Sequence, residues 1–441
     1  MSNSSFHDKR RDFVKQGSML AGAIAAAPII SRANFFSGSD DVIKVAVIGC
    51  GGRGTGAAVQ ALMSKQNVKI VAMADAFRDR LDECYKNVSG ELATAGAGTK
   101  GTLDVPEERK FVGFDGYLKA IPLADVVILA TPPGFRPIHF EEAVKQGKHI
   151  FMEKPVATDP AGVQRVLAAA KIAKQKKLNV VVGLQRHYQD SYRALFAKKD
   201  MIGDITSMQA WWNNDGVWTR PRKAGQTEME YQMRNWYYFV WLCGDHITEQ
   251  HIHNLDVINW FKNGYPVKAQ GFGGRQVRKS KEHGEIFDHH YVEFHYADGS
   301  ILNSQCRHMP GTSSKVDELL VGTKGKIYCD AARITDLRGK TIFQFDKSIE
   351  RNPYQTEHDE LFAAIAKGEY KYADAENGAY STMTSILGRM ATYSGQIIDW
   401  DKAINSGLNL HPSVYAFDAA APVNPGPDGF YPVPVPGVTK Y

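Results

Sequence analysis

Ile43-Lys44-Val45-Ala46-Val47-Ile48-Gly49-Cys50-Gly51-Gly52-Arg53-Gly54 is the stretch that decides the fold. Its first half is an apolar, β-branched run of the kind that forms a strand buried on both faces. Its second half is a glycine pattern that leads such a strand into a helix. Ala57 to Ser64 supplies the helix, and Val68-Lys69-Ile70-Val71-Ala72-Met73-Ala74-Asp75 reads as the next strand. In such a unit Gly49 makes the tight turn, Gly51 lets the backbone approach a pyrophosphate, and Gly54 permits helix to pack closely on strand. The helix-start amides around Gly52 and Arg53 then face the phosphates. Asp75 closes the second strand 21 positions after Gly54. A carboxylate there accepts hydrogen bonds from both ribose hydroxyls and repels a 2′-phosphate, which favours NAD over NADP. Arg78 is close enough in sequence to offset that repulsion, although it reads equally well as a solvated helix residue.

Farther along, Asp125-Val126-Val127-Ile128-Leu129-Ala130 is a strand ending in Thr131-Pro132-Pro133. A helix around His139 to Gln146 then leads to Lys148-His149-Ile150-Phe151-Met152-Glu153-Lys154-Pro155. The Ala-Thr-Pro turn, the Gly147-Lys148-His149 step and above all Glu153-Lys154-Pro155 resemble the glucose-fructose oxidoreductase / inositol dehydrogenase (Gfo/Idh/MocA) family, from about Val42 to about Trp400. The resemblance implies that Lys154 points into the active site near the nicotinamide, where an ammonium steadies a developing alkoxide. It also implies that Thr131, Pro132 and Glu153 line the cofactor site.

The second constellation is Gly244-Asp245-His246-Ile247-Thr248-Glu249-Gln250-His251-Ile252-His253-Asn254-Leu255-Asp256. Asp245 is a plausible N-cap. On one continuous helix His246, Glu249, His253 and Asp256 share a face, and a polar stripe points toward a cleft. The resemblance assigns Glu249, His253 and Asp256 to an acidic residue four before a histidine and an aspartate three after it. His253 is then the acid/base, because an imidazole titrates near neutrality and accepts the alcohol proton as hydride leaves. Glu249 hydrogen-bonds the substrate or tunes this pair, and His251 is read as structural. Histidines and carboxylates at helical spacing also ligate zinc. No His-Glu-x-x-His motif occurs, however, and a hydride mechanism needs no metal, so no metal site is expected.

Val180-Val181-Val182-Gly183-Leu184-Gln185-Arg186 reads as a strand entering a polar turn, and the resemblance implies substrate or cofactor contacts at Gln185-Arg186. Met208 to Trp241 is crowded with aromatics, some of them core and others candidate platforms for sugar C–H faces. Alternating stretches such as His290 to Tyr296, Ser300 to Cys306 and Glu318 to Gly322 predict an open, mostly antiparallel sheet. The resemblance makes its outer face an oligomerisation surface, in a dimer or tetramer.

The fold class expected is therefore α/β, a Rossmann dinucleotide-binding domain over 42–158 followed by an α+β domain over 159–400. A Pro/Gly-rich tail over 401–441 reads as extended chain that wraps a neighbouring surface. Residues 1–38 have the order of a twin-arginine export signal: Lys9-Arg10-Arg11, then the apolar Met19 to Ile30, which is interrupted by Pro28 and too short to span a bilayer comfortably. A periplasmic or otherwise exported protein follows, with no stable membrane insertion once the signal is removed. The net charge of +5 includes that basic leader, and no Lys/Arg run argues for nucleic acid. Cys50, Cys84, Cys243, Cys306 and Cys329 lack metal or disulfide spacing.

Together these features predict an NAD-dependent oxidoreductase acting on a hydroxyl of a sugar, glycoside or polyol. Export requires its cofactor to be tightly held and recycled on site. Two other readings use the same residues. One is an NAD-dependent glycosidase that works by transient C3 oxidation and elimination; the other is a non-catalytic sugar- or NAD-binding protein.

Overall fold

The computed structural model describes residues 41–441; the expected leader lies outside them. The opening run forms β1 (Ile43–Ile48), buried except at Lys44. The chain adds β2 (Val68–Asp75), β3 (Thr102–Leu103), β4 (Lys110–Val112), β5 (Val126–Leu129), β6 (His149–Met152) and β7 (Val180–Val182) to the same sheet. All of its pairings are parallel, in the order β3-β2-β1-β5-β6-β7 with β4 also on β2. The apolar runs follow from this topology, because a parallel sheet is covered on both faces. Val45 and Val47 point into one apolar cluster and Ala46 and Ile48 into the other. The strand order reverses between β1 and β5, which opens a crevice at the carboxyl ends of the strands.

The second sheet contains β8 (Ile205–Asn214), β9 (Lys268–Gly274), β10 (His289–His295), β11 (Ile301–His308), β12 (Lys315–Gly322), β13 (Gly325–Tyr328), β14 (Arg333–Asp336), β15 (Thr341–Gln344) and β16 (Ile398–Asp399). Its order is β15-β14-β13-β12-β8-β11-β10-β9-β16. The pairings are antiparallel apart from β8 with β11. The helix Ala375–Ser394 is buried along most of its length and joins the two halves. Its Arg389 donates to the carbonyls of Gly244 and Thr158 at 2.9 and 2.7 Å.

The Pro/Gly-rich tail packs on its own chain. Phe417 packs at a tilt against Phe77 and Phe114, with centroids 5.2 and 4.8 Å apart, and Tyr431 is buried against Phe239. The five cysteines are buried free thiols. No helix among the described residues is long and apolar enough to cross a membrane.

Candidate active site

A cavity of about 670 Å³ occupies the crevice at the carboxyl ends of β1, β2, β5, β6 and β7. Gly49, Gly51, Gly52, Arg53, Asp75, Thr131, Pro132, Glu153, Lys154, Glu249 and His253 all line it. Gly54 does not, because its role is internal. A Cβ there would stand 1.8 Å from the Gly49 carbonyl oxygen. Gly49 has φ +96°, and a Cβ on it would meet the Thr131 amide nitrogen at 2.4 Å.

The cradle fits a dinucleotide. Gly51 and Gly52 have open space where a side chain would begin, and they start the helix Gly52–Leu62, whose first-turn amides lack intrahelical partners. Asp75 is anchored by the amides of Cys50 and Phe77 at 2.7 and 2.9 Å, and lines the same groove. Arg78 turns away to Asp82 and Glu107. Arg80, not singled out by the sequence pattern, is the cation that lines the groove beside Asp75.

The Glu153-Lys154-Pro155 turn is gripped from two sides. Arg53 Nε donates to Glu153 Oε1 at 2.5 Å, and Arg136 Nε donates to the Glu153 carbonyl at 2.9 Å. Arg136 also donates to the Thr131 carbonyl at 2.7 Å, tying the end of β5 to the end of β6. Burial lowers the Arg136 guanidinium to about 10. Sequence reasoning missed Arg136, and its place just past the Thr-Pro-Pro turn at a strand end was the available signal. Glu357 was also missed. It lies fully buried 3.5 Å from Arg53, and burial, then Glu153, push its carboxyl well above the usual range. It comes from the distant helix Pro353–Ala366, and no motif marks it.

Lys154 Nζ donates to the Glu249 backbone carbonyl at 2.5 Å and to Glu249 Oε1 at 2.9 Å. Burial pushes the Glu249 carboxyl up, and Lys154 pulls it back. His253 shares the cavity and stacks on Trp212, with centroids 5.9 Å apart. Burial, then the positive charge of Lys154, hold its imidazole well below the ordinary value, so it is neutral at physiological pH.

The expected four-residue stripe is not one helix face. The chain forms His246–Glu249 and then a separate helix Ile252–Lys262, with Gln250 and His251 at the break. Glu249 and His253 face the cavity, and His246 and Asp256 do not. His246 is buried against Asp245, whose other carboxylate oxygen accepts from Tyr393 at 2.5 Å and faces His290 at 3.2 Å. Asp245, His246 and His290 are the one potential metal-ligating group among the described residues; Asp245 bonds both histidines and Tyr393, His290 also bonds Thr392, and His246 Nε2 is buried without a hydrogen-bond partner. Asp256 pairs with His187 at 2.7 Å and accepts from Ser381 at 2.7 Å. His251 bonds Ser304. Gln185 donates to Tyr354, and Arg186 pairs with buried Glu318, so neither reaches the cavity.

Residues 43–184 match the model of an oxidoreductase family with an NAD-binding Rossmann fold. An inositol 2-dehydrogenase of Gluconacetobacter diazotrophicus is 30% identical over 168 residues, 38% of this chain and 43% of that relative, so the match spans under half of its length. An aldose-aldose oxidoreductase of Caulobacter crescentus superposes with TM-score 0.63 at 16% identity, over 81% of this chain and 100% of the other. A scyllo-inositol dehydrogenase of Lactobacillus casei, solved with NAD(H) and scyllo-inositol, superposes with TM-score 0.59 at 18% identity, over 82% and 100%. At these identities the two structures share the fold with this chain.

Proposed function

We propose that the chain is a Gfo/Idh/MocA-type oxidoreductase, in keeping with the family match over residues 43–184, and that it is an NAD-dependent enzyme acting on a hydroxyl of a sugar, glycoside or polyol, with its cofactor tightly held. The observation that carries this reading is the convergence of Lys154, Glu249 and His253 in the cavity that the glycine loop and Asp75 also line. NAD, when bound, supplies the hydride acceptor. Gly51, Gly52 and the first amides of their helix hold its pyrophosphate, and Asp75 its ribose. His253, neutral and buried, takes the hydroxyl proton. Lys154 stabilises the oxygen as negative charge develops, and Glu249 fixes the ammonium in place by accepting at both its carbonyl and its carboxylate.

Because burial and Lys154 disfavour the imidazolium, His253 remains a base into acid. The acid limb of kcat/KM for hydroxyl oxidation is therefore expected below about pH 6.5, the ordinary imidazole value. A limb at or above that value would assign the proton to another group.

Tight retention of the cofactor would draw on the aromatic wall beside Asp75. Phe77 and Phe114 line the cavity, and Phe417 of the tail backs both. Arg234 lies 3.7 Å over the Phe77 ring and pairs with Asp79 at 2.7 and 2.9 Å. Gln232, on the same helix Glu228–Arg234, donates to the Val423 carbonyl of the tail at 2.6 Å. These contacts hold the tail against the Phe77 and Phe114 side of the cavity. Export behind the leader belongs to the same proposal, as does assembly through the outer face of the second sheet, where Phe272 is 63% exposed beside Tyr291.

Protein purified without added nucleotide and desalted is expected to carry NAD, and Phe417→Ala to lose it. Incubated in deuterated water with a panel of glycosides and polyols, the loaded protein is expected to give ketosugar and reduced cofactor. Aglycone release with C2 exchange and no net reduction would replace this reading with the redox-neutral glycosidase. No response to any sugar, and none lost in Lys154→Ala, would leave a binding protein.

A further inference from the structure

Resting on that reading, we propose that the mouth of the cavity carries a second-ring subsite built from Trp218, Arg220 and Trp236, so that the substrate is a glycoside of at least two rings rather than a free monosaccharide or cyclitol. The tryptophans of this chain divide by environment. Trp241 is 2% exposed and belongs to the core. Trp212 lies on β8 and stacks beside His253, flanking the place where the reacting ring must sit. Trp218 lies beyond the end of β8, lines the same cavity and is 40% exposed. Trp236 meets it edge-on, with centroids 6.0 Å apart, and also lines the cavity.

Arg220 adds a polar component. Its guanidinium carbon lies 5.0 Å from the Trp218 ring centroid, and the residue is exposed and lines the same cavity. Its backbone amide donates to buried Asn235 Oδ1 at 2.8 Å. Asn235 in turn donates to the Glu282 carbonyl at 2.7 Å, so the rim is tethered to the fold before any ligand arrives.

A pyranose ring presents C–H bonds on its faces and hydroxyls around its edge. Indole rings take the first and an exposed guanidinium, with five N–H donors, takes the second. The reacting ring is committed to Lys154 and His253, deeper in the cavity. An aromatic and cationic rim outside that position therefore recognises what is attached to the reacting ring, either a second sugar or an aryl aglycone.

The test compares a disaccharide with the methyl glycoside of its reacting sugar, using NAD-loaded protein. Steady-state oxidation gives the KM of each, and calorimetric titration gives binding without turnover. Wild type is expected to prefer the disaccharide. Trp218→Ala is expected to reduce that preference, taken as the ratio of KM values and of dissociation constants, about tenfold. Trp218→Phe restores most of it, and Arg220→Ala weakens it with the same sign. An unaltered ratio in both Ala variants overturns the subsite while leaving the oxidoreductase standing. A Trp218→Ala protein that keeps the ratio but changes oligomeric state assigns the rim to an interface between copies and also overturns it. Wild-type protein that oxidises neither sugar overturns the parent reading instead.

Discussion

Lys154→Met is expected to lower kcat for hydroxyl oxidation by about two to three orders of magnitude, with KM changing far less. The thioether keeps much of the volume and removes the positive charge that Lys154 places in the cavity it shares with His253. The variant also leaves Glu249 without the ammonium that now sits 2.9 Å from its carboxylate. That carboxyl is already pushed up by burial, and loss of Lys154 removes the charge that pulls it back, which shifts it further toward the protonated form. Lys154→Arg is not expected to rescue activity, because a planar guanidinium cannot place one compact charge where Nζ stands. Single-turnover measurements of cofactor reduction at saturating sugar separate the chemical step from binding. A Lys154→Met protein that keeps more than about a tenth of wild-type kcat would remove Lys154 from the reaction.

Gly54→Ala is expected to abolish cofactor retention and to destabilise the first domain. The added Cβ would lie 1.8 Å from the Gly49 carbonyl oxygen and 3.0 Å from its carbon, so the helix Gly52–Leu62 and the loop must separate. Both neighbours are backbone, and no side-chain rotation relieves the overlap. The expected loss is about 3 kcal/mol in urea unfolding. NAD affinity is expected to fall about a hundredfold, since the amides move by about an ångström. Gly90→Ala is the control: it sits in the helix Arg78–Ala95 with nothing within 4 Å of the added atom. It should be neutral or stabilise by up to about 1 kcal/mol. Equal unfolding midpoints for the two variants would refute the steric account.

Much of the cofactor half could be read directly from the chain. The strand-loop-helix unit is a local object: period, glycine placement and a terminal carboxylate lie within 33 consecutive residues from Ile43 to Asp75. Short-range sterics leave such a segment few alternatives. The fate of the Asp245–Asp256 run was harder to see, because its spacing is compatible with a continuous helix. The break at Gln250–His251 follows from long-range bonds, His251 to Ser304 on β11 and Gln250 to His308. Those contacts turn His246 into the interior and leave His253 on the cavity side.

The sequence by itself determined the Rossmann unit and the roles open to Gly49, Gly51, Gly54 and Asp75, because each rests on neighbouring residues, and through the family resemblance of its short motifs it also raised Lys154, Glu249 and His253 as candidates. Only the tertiary structure decided that Lys154 meets Glu249 across 95 positions. It also placed Arg136 and Glu357 behind the turn, separated Trp212 and the rim tryptophans from the buried Trp241, and laid the tail over Phe77 and Phe114 of its own chain. The physical reason is common to all of these. A backbone preference acts over a few residues, whereas the partner of a buried charge or an exposed ring is fixed by whichever distant segment the packed core brings against it.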